Sequence, residues 1–179
     1  MALLVFADAL LVVIPGEVAV TAMGALAVST GQPPIVAVVV VAAAAAFAGD
    51  AAGYLVGRTV GIERWRWMRH PRVAAAFSWA RGRLHRSAAT VVFTARFIPF
   101  ARVAVTLTAG ATRVRPARFL GACALAALGW ALYQSLIGAA VGAIVPGGPV
   151  VAVIVSVVLA LGLGFALDAV AARRVRAPR

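Results

Sequence analysis

The sequence predicts an all-α integral membrane protein: two inverted repeats, each a re-entrant helical hairpin plus a transmembrane helix, followed by one further transmembrane helix. Three observations carry this. Of 179 residues, 64% are hydrophobic and 12% charged, with a mean hydropathy of +1.01, whereas soluble domains are about 45 to 50% apolar. The apolar segments come in two kinds, some long enough to cross a bilayer and some broken at proline well short of the roughly 20 residues a crossing needs. Finally, Glu17-Val-Ala-Val-Thr21 recurs as Arg102-Val-Ala-Val-Thr106 at an offset of 85 residues, and Gly53 and Gly57 match Gly138 and Gly142 at the same offset. The chain therefore reads as one membrane domain, with a first repeat over 1–56, a basic cytoplasmic linker over 57–86, a second repeat over 87–145 and a last transmembrane helix over 150–171.

The first repeat opens with an apolar arm from Ala2 to Ile14, interrupted at Pro15-Gly16-Glu17, and a second arm from Val18 to Thr30. Proline removes a backbone donor and breaks a helix, so two short arms meet at Pro15 and return to one side. Glu17 stands at that break, where a carboxylate can cap the second arm and is favoured by its dipole. Its place between two apolar arms argues for a functional role, because intramembrane acids are costly to keep. Ile35 to Val56 is long enough to cross, and Gly49, Gly53 and Gly57 at spacing four offer a close-packing face. Asp50 lies beside Gly49, either paired with Arg58 near the surface or turned inward toward Arg96 or Arg102, and the small neighbours that allow close approach favour the inward reading.

The second hairpin is Phe93 to Gly110. It is as apolar as a membrane segment yet holds Arg96 and Arg102 on either side of its breaker, Pro99. An arginine at bilayer depth costs about 2.5 to 3.5 kcal/mol on insertion scales and persists where it faces a cavity or an acidic partner. Residues 119–167 then carry no charge, enough for two spans, near Phe119 to Val145 and Val150 to Val170, separated by Pro146-Gly147-Gly148-Pro149.

The net charge of +12 arises from seventeen arginines, no lysine and five acids. The arginines cluster beside apolar segments, which fits the positive-inside rule and contact with anionic lipid rather than nucleic acid. The 57–86 linker holds eight of them with Trp65, Trp67 and Trp79, an interfacial composition. With both hairpins returning to their own side, every basic cluster falls on the cytoplasmic face. His70 and His85 lack neighbouring carboxylates or thiols, so no metal is expected, and the lone Cys123 reads as a packing residue. Neither a serine-histidine arrangement nor a metal-ligand cluster is visible, so no enzyme activity and no cofactor are expected.

Pro15-Gly16-Glu17, Phe47-Ala-Gly-Asp50 with Tyr54 and Gly57-Arg58, and Phe93-Thr-Ala-Arg96-Phe-Ile-Pro99-Phe-Ala-Arg102 ending in Ala109-Gly110 together resemble the DedA family of membrane proteins, over roughly Leu11 to Gly142. That resemblance implies a multi-pass protein of the bacterial cytoplasmic membrane that moves lipid, with undecaprenyl phosphate the expected substrate and proton coupling an associated property. It also implies that Glu17, Asp50, Arg96 and Arg102 match the acids and arginines the family requires. On charge grounds, Arg96 and Arg102 would receive a lipid phosphate through their guanidinium forks. Glu17 and Asp50 would pair with the arginines in the absence of lipid and, on protonation, release them. Phospholipid scrambling, proton-dependent transport of a small solute, and a non-transporting membrane-organising role are the alternatives, and homo-oligomerisation is compatible with all of them.

Overall fold

The computed structural model describes residues 1–10, 16–60, 90–96 and 99–144, with isolated positions at 82, 151, 154, 155, 158 and 162. Five helices run through the described residues: α1 (Ala2–Leu10), α2 (Gly16–Thr30), α3 (Ile35–Val60), α4 (Pro99–Ala111) and α5 (Pro116–Ile144). A shorter helical turn over 90–95 precedes α4. No strand occurs among the described residues. The breaker Pro15, the 61–81 part of the linker, the Pro146–Pro149 turn and most of the last expected helix lie outside them.

Prolines and glycines punctuate the helices as backbone sterics require. Proline at a first helical position forgoes only an amide that would be unpaired anyway, and both α4 and α5 begin on one, Pro99 and Pro116. Pro34 precedes α3 and its carbonyl accepts from the amides of Ala37 and Val38. α2 ends at Gly31, whose φ of 74° is the left-handed conformation that lets the chain turn out of a helix. At the end of α4 the same conformation falls on Arg113, with φ of 54°. There the Val114 amide reaches back to the Ala109 carbonyl and that of Arg113 to Gly110, the two bonds of a Schellman cap.

α3 and α5 are long and apolar enough to cross a membrane. At 26 and 29 residues they span about 39 and 43 Å, against a hydrocarbon thickness of about 30 Å. α3 runs four residues beyond the expected Val56, because Gly57 packs closely rather than ending the helix. Away from Asp50 and Arg58 in α3 and Gln134 and Ser135 in α5, each long helix is mainly apolar on both sides, burying mostly small residues on one and exposing Val36, Val40 and Leu55, or Leu125, Leu128 and Leu136, on the other. A helix apolar on both sides suits a membrane span.

α2 packs on α5, α4 on α3, and the two long helices on each other, while α1 lies mainly against α3. Glycine sets the approach in both long helices. A Cβ on Gly53 would meet Thr106 Oγ1 at 2.8 Å, and one on Gly138 would collide with the Thr21 carbonyl. A Cβ on Gly57 would likewise collide with the Leu107 carbonyl, and one on Gly142 would lie 2.5 Å from the Ala25 carbonyl.

Candidate functional site

Four charged side chains from four segments meet where α1, α3 and α4 converge. Gly49 lets α1 close on α3, since a Cβ there would collide with Ala9, and this sets Asp8 of α1 beside Asp50 of α3. Gly53 and Gly57 do the same for α4, which carries Arg102 one turn before Thr106. Arg96 arrives from the segment ahead of Pro99, just past the 90–95 turn.

Asp50 is the hub. Its side chain is 1% exposed, and its two oxygens serve two arginines: Arg96 Nη1 donates to Oδ2 at 2.7 Å, and Arg102 Nε donates to Oδ1 at 2.9 Å. Arg102 also donates through Nη1 to Asp8 Oδ2 at 3.2 Å and makes a longer contact from Nη2 to the Ala46 carbonyl at 3.5 Å. All three of its nitrogens are therefore engaged. Arg96 differs. Its side chain is 2% exposed, its guanidinium carbon lies 5.5 Å from the centre of the Trp130 ring, and both Nε and Nη2 are buried with no hydrogen-bond partner among the described residues.

The energetics of this arrangement are lopsided. A buried guanidinium donor without an acceptor costs roughly 1 to 3 kcal/mol or more, and the face of a tryptophan offsets part of the charge but accepts no N–H bond. Nε and one terminal nitrogen form the side-on fork of an arginine, two nearly parallel donors spaced for two oxygens of a carboxylate or phosphate. In Arg96 that fork is the unspent edge. Two acids and two arginines leave the cluster electrically neutral as it stands.

Of the residues the sequence singled out, Asp50, Arg96 and Arg102 come together. Asp50 turns inward instead of pairing with Arg58, whose Nη1 donates to the Tyr54 hydroxyl at 2.8 Å. Tyr54 in turn donates to the Val114 carbonyl at 2.7 Å and stacks on Phe119, tying the end of α3 to the α4–α5 corner. Glu17 is in the first turn of α2, half-buried, its carbonyl accepting from the Thr21 hydroxyl; the ion pairs of Arg96 and Arg102 go to Asp8 and Asp50. Pro99 is the first residue of α4. Asp8 is the member the sequence reading passed over, although it is the sole charged side chain in residues 1–14. Ser135, the residue that the offset of 85 sets opposite Asp50, is fully buried, and its hydroxyl has no partner among the described residues. Cys123 is a buried free thiol, and no group of metal-ligating side chains occurs among the described residues.

The family model of the VTT domain matches residues 14–140, a stretch that includes Glu17, Asp50, Arg96 and Arg102 and leaves out Asp8. No curated protein and no solved structure matches the chain.

Proposed function

The chain belongs to the VTT domain family, the domain of the DedA and SNARE-associated proteins, and on that premise we propose that this membrane protein translocates a lipid bearing a phosphate head group. The observation that carries the reading is the buried Nε–Nη2 edge of Arg96. Two parallel charge-assisted donors at a site of low dielectric suit the oxygens of a phosphate, and the Trp130 ring face beside the guanidinium favours its charge. Undecaprenyl phosphate, a phosphomonoester on a long apolar chain, is the substrate we favour, its tail remaining in lipid while the head group crosses. The site works as a binder and needs no catalytic group or cofactor.

The scaffold for such a passage is a pair of re-entrant hairpins related by an inverted repeat. α1, α2 and α4 have 9, 15 and 13 residues, or about 14, 22 and 20 Å, each short of the hydrocarbon thickness. The contact between Gly53 and Thr106 has its counterpart in Gly138 and Thr21, the same pair with the halves exchanged at the offset of 85. This exchange supports the repeat, and a repeat of opposite orientation is the usual architecture for alternating access. Glu17 and the two aspartates would supply charge partners and proton sites.

A second reading has its own support. Arg102, with each of its three nitrogens bonded to Asp50, Asp8 or Ala46, is placed as a tie between α4, α3 and α1, as a purely membrane-organising protein would use it. Purified protein reconstituted in liposomes separates the two, with and without a proton gradient. Transport of undecaprenyl phosphate that is lost in Arg96→Lys supports translocation; no transport, together with no lipid-dependent thermal shift of the parent, favours the organising role.

A further inference from the structure

A second concentration of positive charge lies away from the acid and arginine cluster, where α3 ends and α4 turns into α5. Arg58 is in the last turn of α3, Arg113 and Arg115 are in the corner, and all three are exposed. The sequence holds no acid from 51 to 62 or from 64 to 167, so neither element carries a carboxylate to offset them. Close packing brings the two basic stretches together, since a Cβ on Gly110 would lie 2.7 Å from the Arg58 amide nitrogen.

A chain of hydrogen bonds fixes their relation. Arg58 Nη1 donates to the Tyr54 hydroxyl at 2.8 Å, and that hydroxyl donates to the Val114 carbonyl at 2.7 Å. Val114 stands between Arg113 and Arg115, so one buried hydroxyl links the Arg58 guanidinium to the peptide that carries the other two arginines. The Tyr54 ring is itself held by Phe119, with ring centroids 5.2 Å apart. Arg58 is therefore anchored at one nitrogen, and its Nε and Nη2 make no hydrogen bond among the described residues. Its charge also lies at the carbonyl end of α3, where it offsets the negative pole of the helix instead of leaving it to repel an anion.

Charge alone would suit any polyanion, but the flank of the site is apolar. In the turn before Arg58, Leu55 and Val56 are 56% and 48% exposed, on a helix apolar enough to cross a membrane. A ligand that satisfies both surfaces is an amphiphile, with an anionic head on the arginines and an apolar chain along α3. We propose that Arg58, Arg113 and Arg115 form a docking site for the head group of an anionic phospholipid, separate from the buried edge of Arg96. Arg58 is eight residues beyond Asp50, about 12 Å along α3, and the site exists whether or not Arg96 receives a phosphate. A lipid held there bridges α3 and the α4–α5 corner, and so reinforces the tie already made by Tyr54 and Val114.

Thermal unfolding of the purified full chain in detergent, titrated with phosphatidylglycerol, phosphatidylcholine or inorganic phosphate, tests this. Phosphatidylglycerol should raise the midpoint of the parent well above the effect of the other two, and the rise should shrink at high salt, because exposed charges are screened. Arg58→Gln and Arg115→Gln should each weaken the apparent affinity for phosphatidylglycerol by about fivefold. Tyr54→Phe keeps the ring stack but frees Arg58, and should weaken it as well, whereas Arg96→Lys should retain the parent's response. Equal responses in the parent and an Arg58→Gln, Arg115→Gln double variant overturn the site. A response to phosphatidylcholine or to inorganic phosphate as large as that to phosphatidylglycerol overturns the anionic lipid as its occupant. A response lost in Arg96→Lys alone assigns the lipid to the buried fork, which overturns the corner site and leaves the phosphate receptor standing. The salt dependence is read on the parent and needs no variant to fold: a response unchanged by salt also overturns the corner site.

Discussion

Two arginines six residues apart, equal in charge and both nearly buried, are unequal in what they have left to give. Arg102 has spent its three nitrogens on Asp50, Asp8 and Ala46, whereas Arg96 has spent only Nη1. Lysine substitution therefore has two different expected outcomes. Arg96→Lys should lose about 1.5 to 3 kcal/mol of head-group binding, roughly ten- to a hundredfold in affinity, while Arg102→Lys should lower the thermal midpoint and keep a lipid-dependent shift. Equal lipid-dependent shifts in both variants and the parent would rule out the fork. Asp50→Asn should be the most damaging change to stability, by about 3 to 5 kcal/mol, because it leaves two guanidinium groups buried against one remaining acid; thermal unfolding in detergent checks this, and a midpoint within a degree or two of the parent would refute it. Charges in apolar sequence made Asp50, Arg96 and Arg102 legible. Nothing local says how many donors an arginine retains, since that depends on which helices cross, and Asp8 was hidden because its arm reads as apolar until Gly49 brings α3 against it.

At the level of helices, the prolines marked the ends of most elements, and the glycines marked the crossings. Pro34, Pro99 and Pro116 each open or precede a helix, and Gly53, Gly57, Gly138 and Gly142 all lie against another helix's backbone or side chain. What sequence pattern could not supply is the cap at Arg113, a residue with no propensity for the left-handed region it occupies. Arg113 is exposed, so replacing it costs no packing, and Arg113→Gly should raise stability by about 1 kcal/mol by removing a Cβ from an αL position. A lowered midpoint would show that this guanidinium makes a contribution larger than the backbone cost. The glycine crossings give a sharper comparison. Gly53→Ala and Gly138→Ala each push a methyl into the equivalent partner, Thr106 or Thr21, and overpacking of this kind costs about 1 to 3 kcal/mol. If the two halves are built alike, the two variants should be destabilised to a similar degree; a large cost at one and none at the other would argue that the repeat in sequence is not a repeat in packing.

For the molecule as a whole, composition made membrane residence legible and the arrangement of arginines implied an orientation, while lateral order among the helices was not legible because α3 and α5 are mainly apolar on both sides. Orientation follows from counting sides. In the proposed layout the first hairpin would enter and leave on the outer face, α3 would cross inward, the second hairpin would enter and leave on the cytoplasmic face, and α5 would cross outward again. That layout would put the nearly uncharged α2–α3 corner outside, and the end of α3 with Arg58 and the α4–α5 corner with Arg113, Arg115 and Arg118 inside. Single cysteines report this directly. Ser29, Thr59 and Arg115 are exposed in the fold, and the native Cys123 is fully buried, out of reach of a bulky impermeant thiol reagent. Ser29→Cys should label in intact cells, and Thr59→Cys and Arg115→Cys only after the membrane is opened. The hairpin reading depends on Thr59 and Arg115 sharing a side, because they flank the second hairpin. Were that segment a full crossing, the two would label from opposite faces, and with them the shared site of Asp8, Asp50, Arg96 and Arg102 would have to be approached through a different architecture.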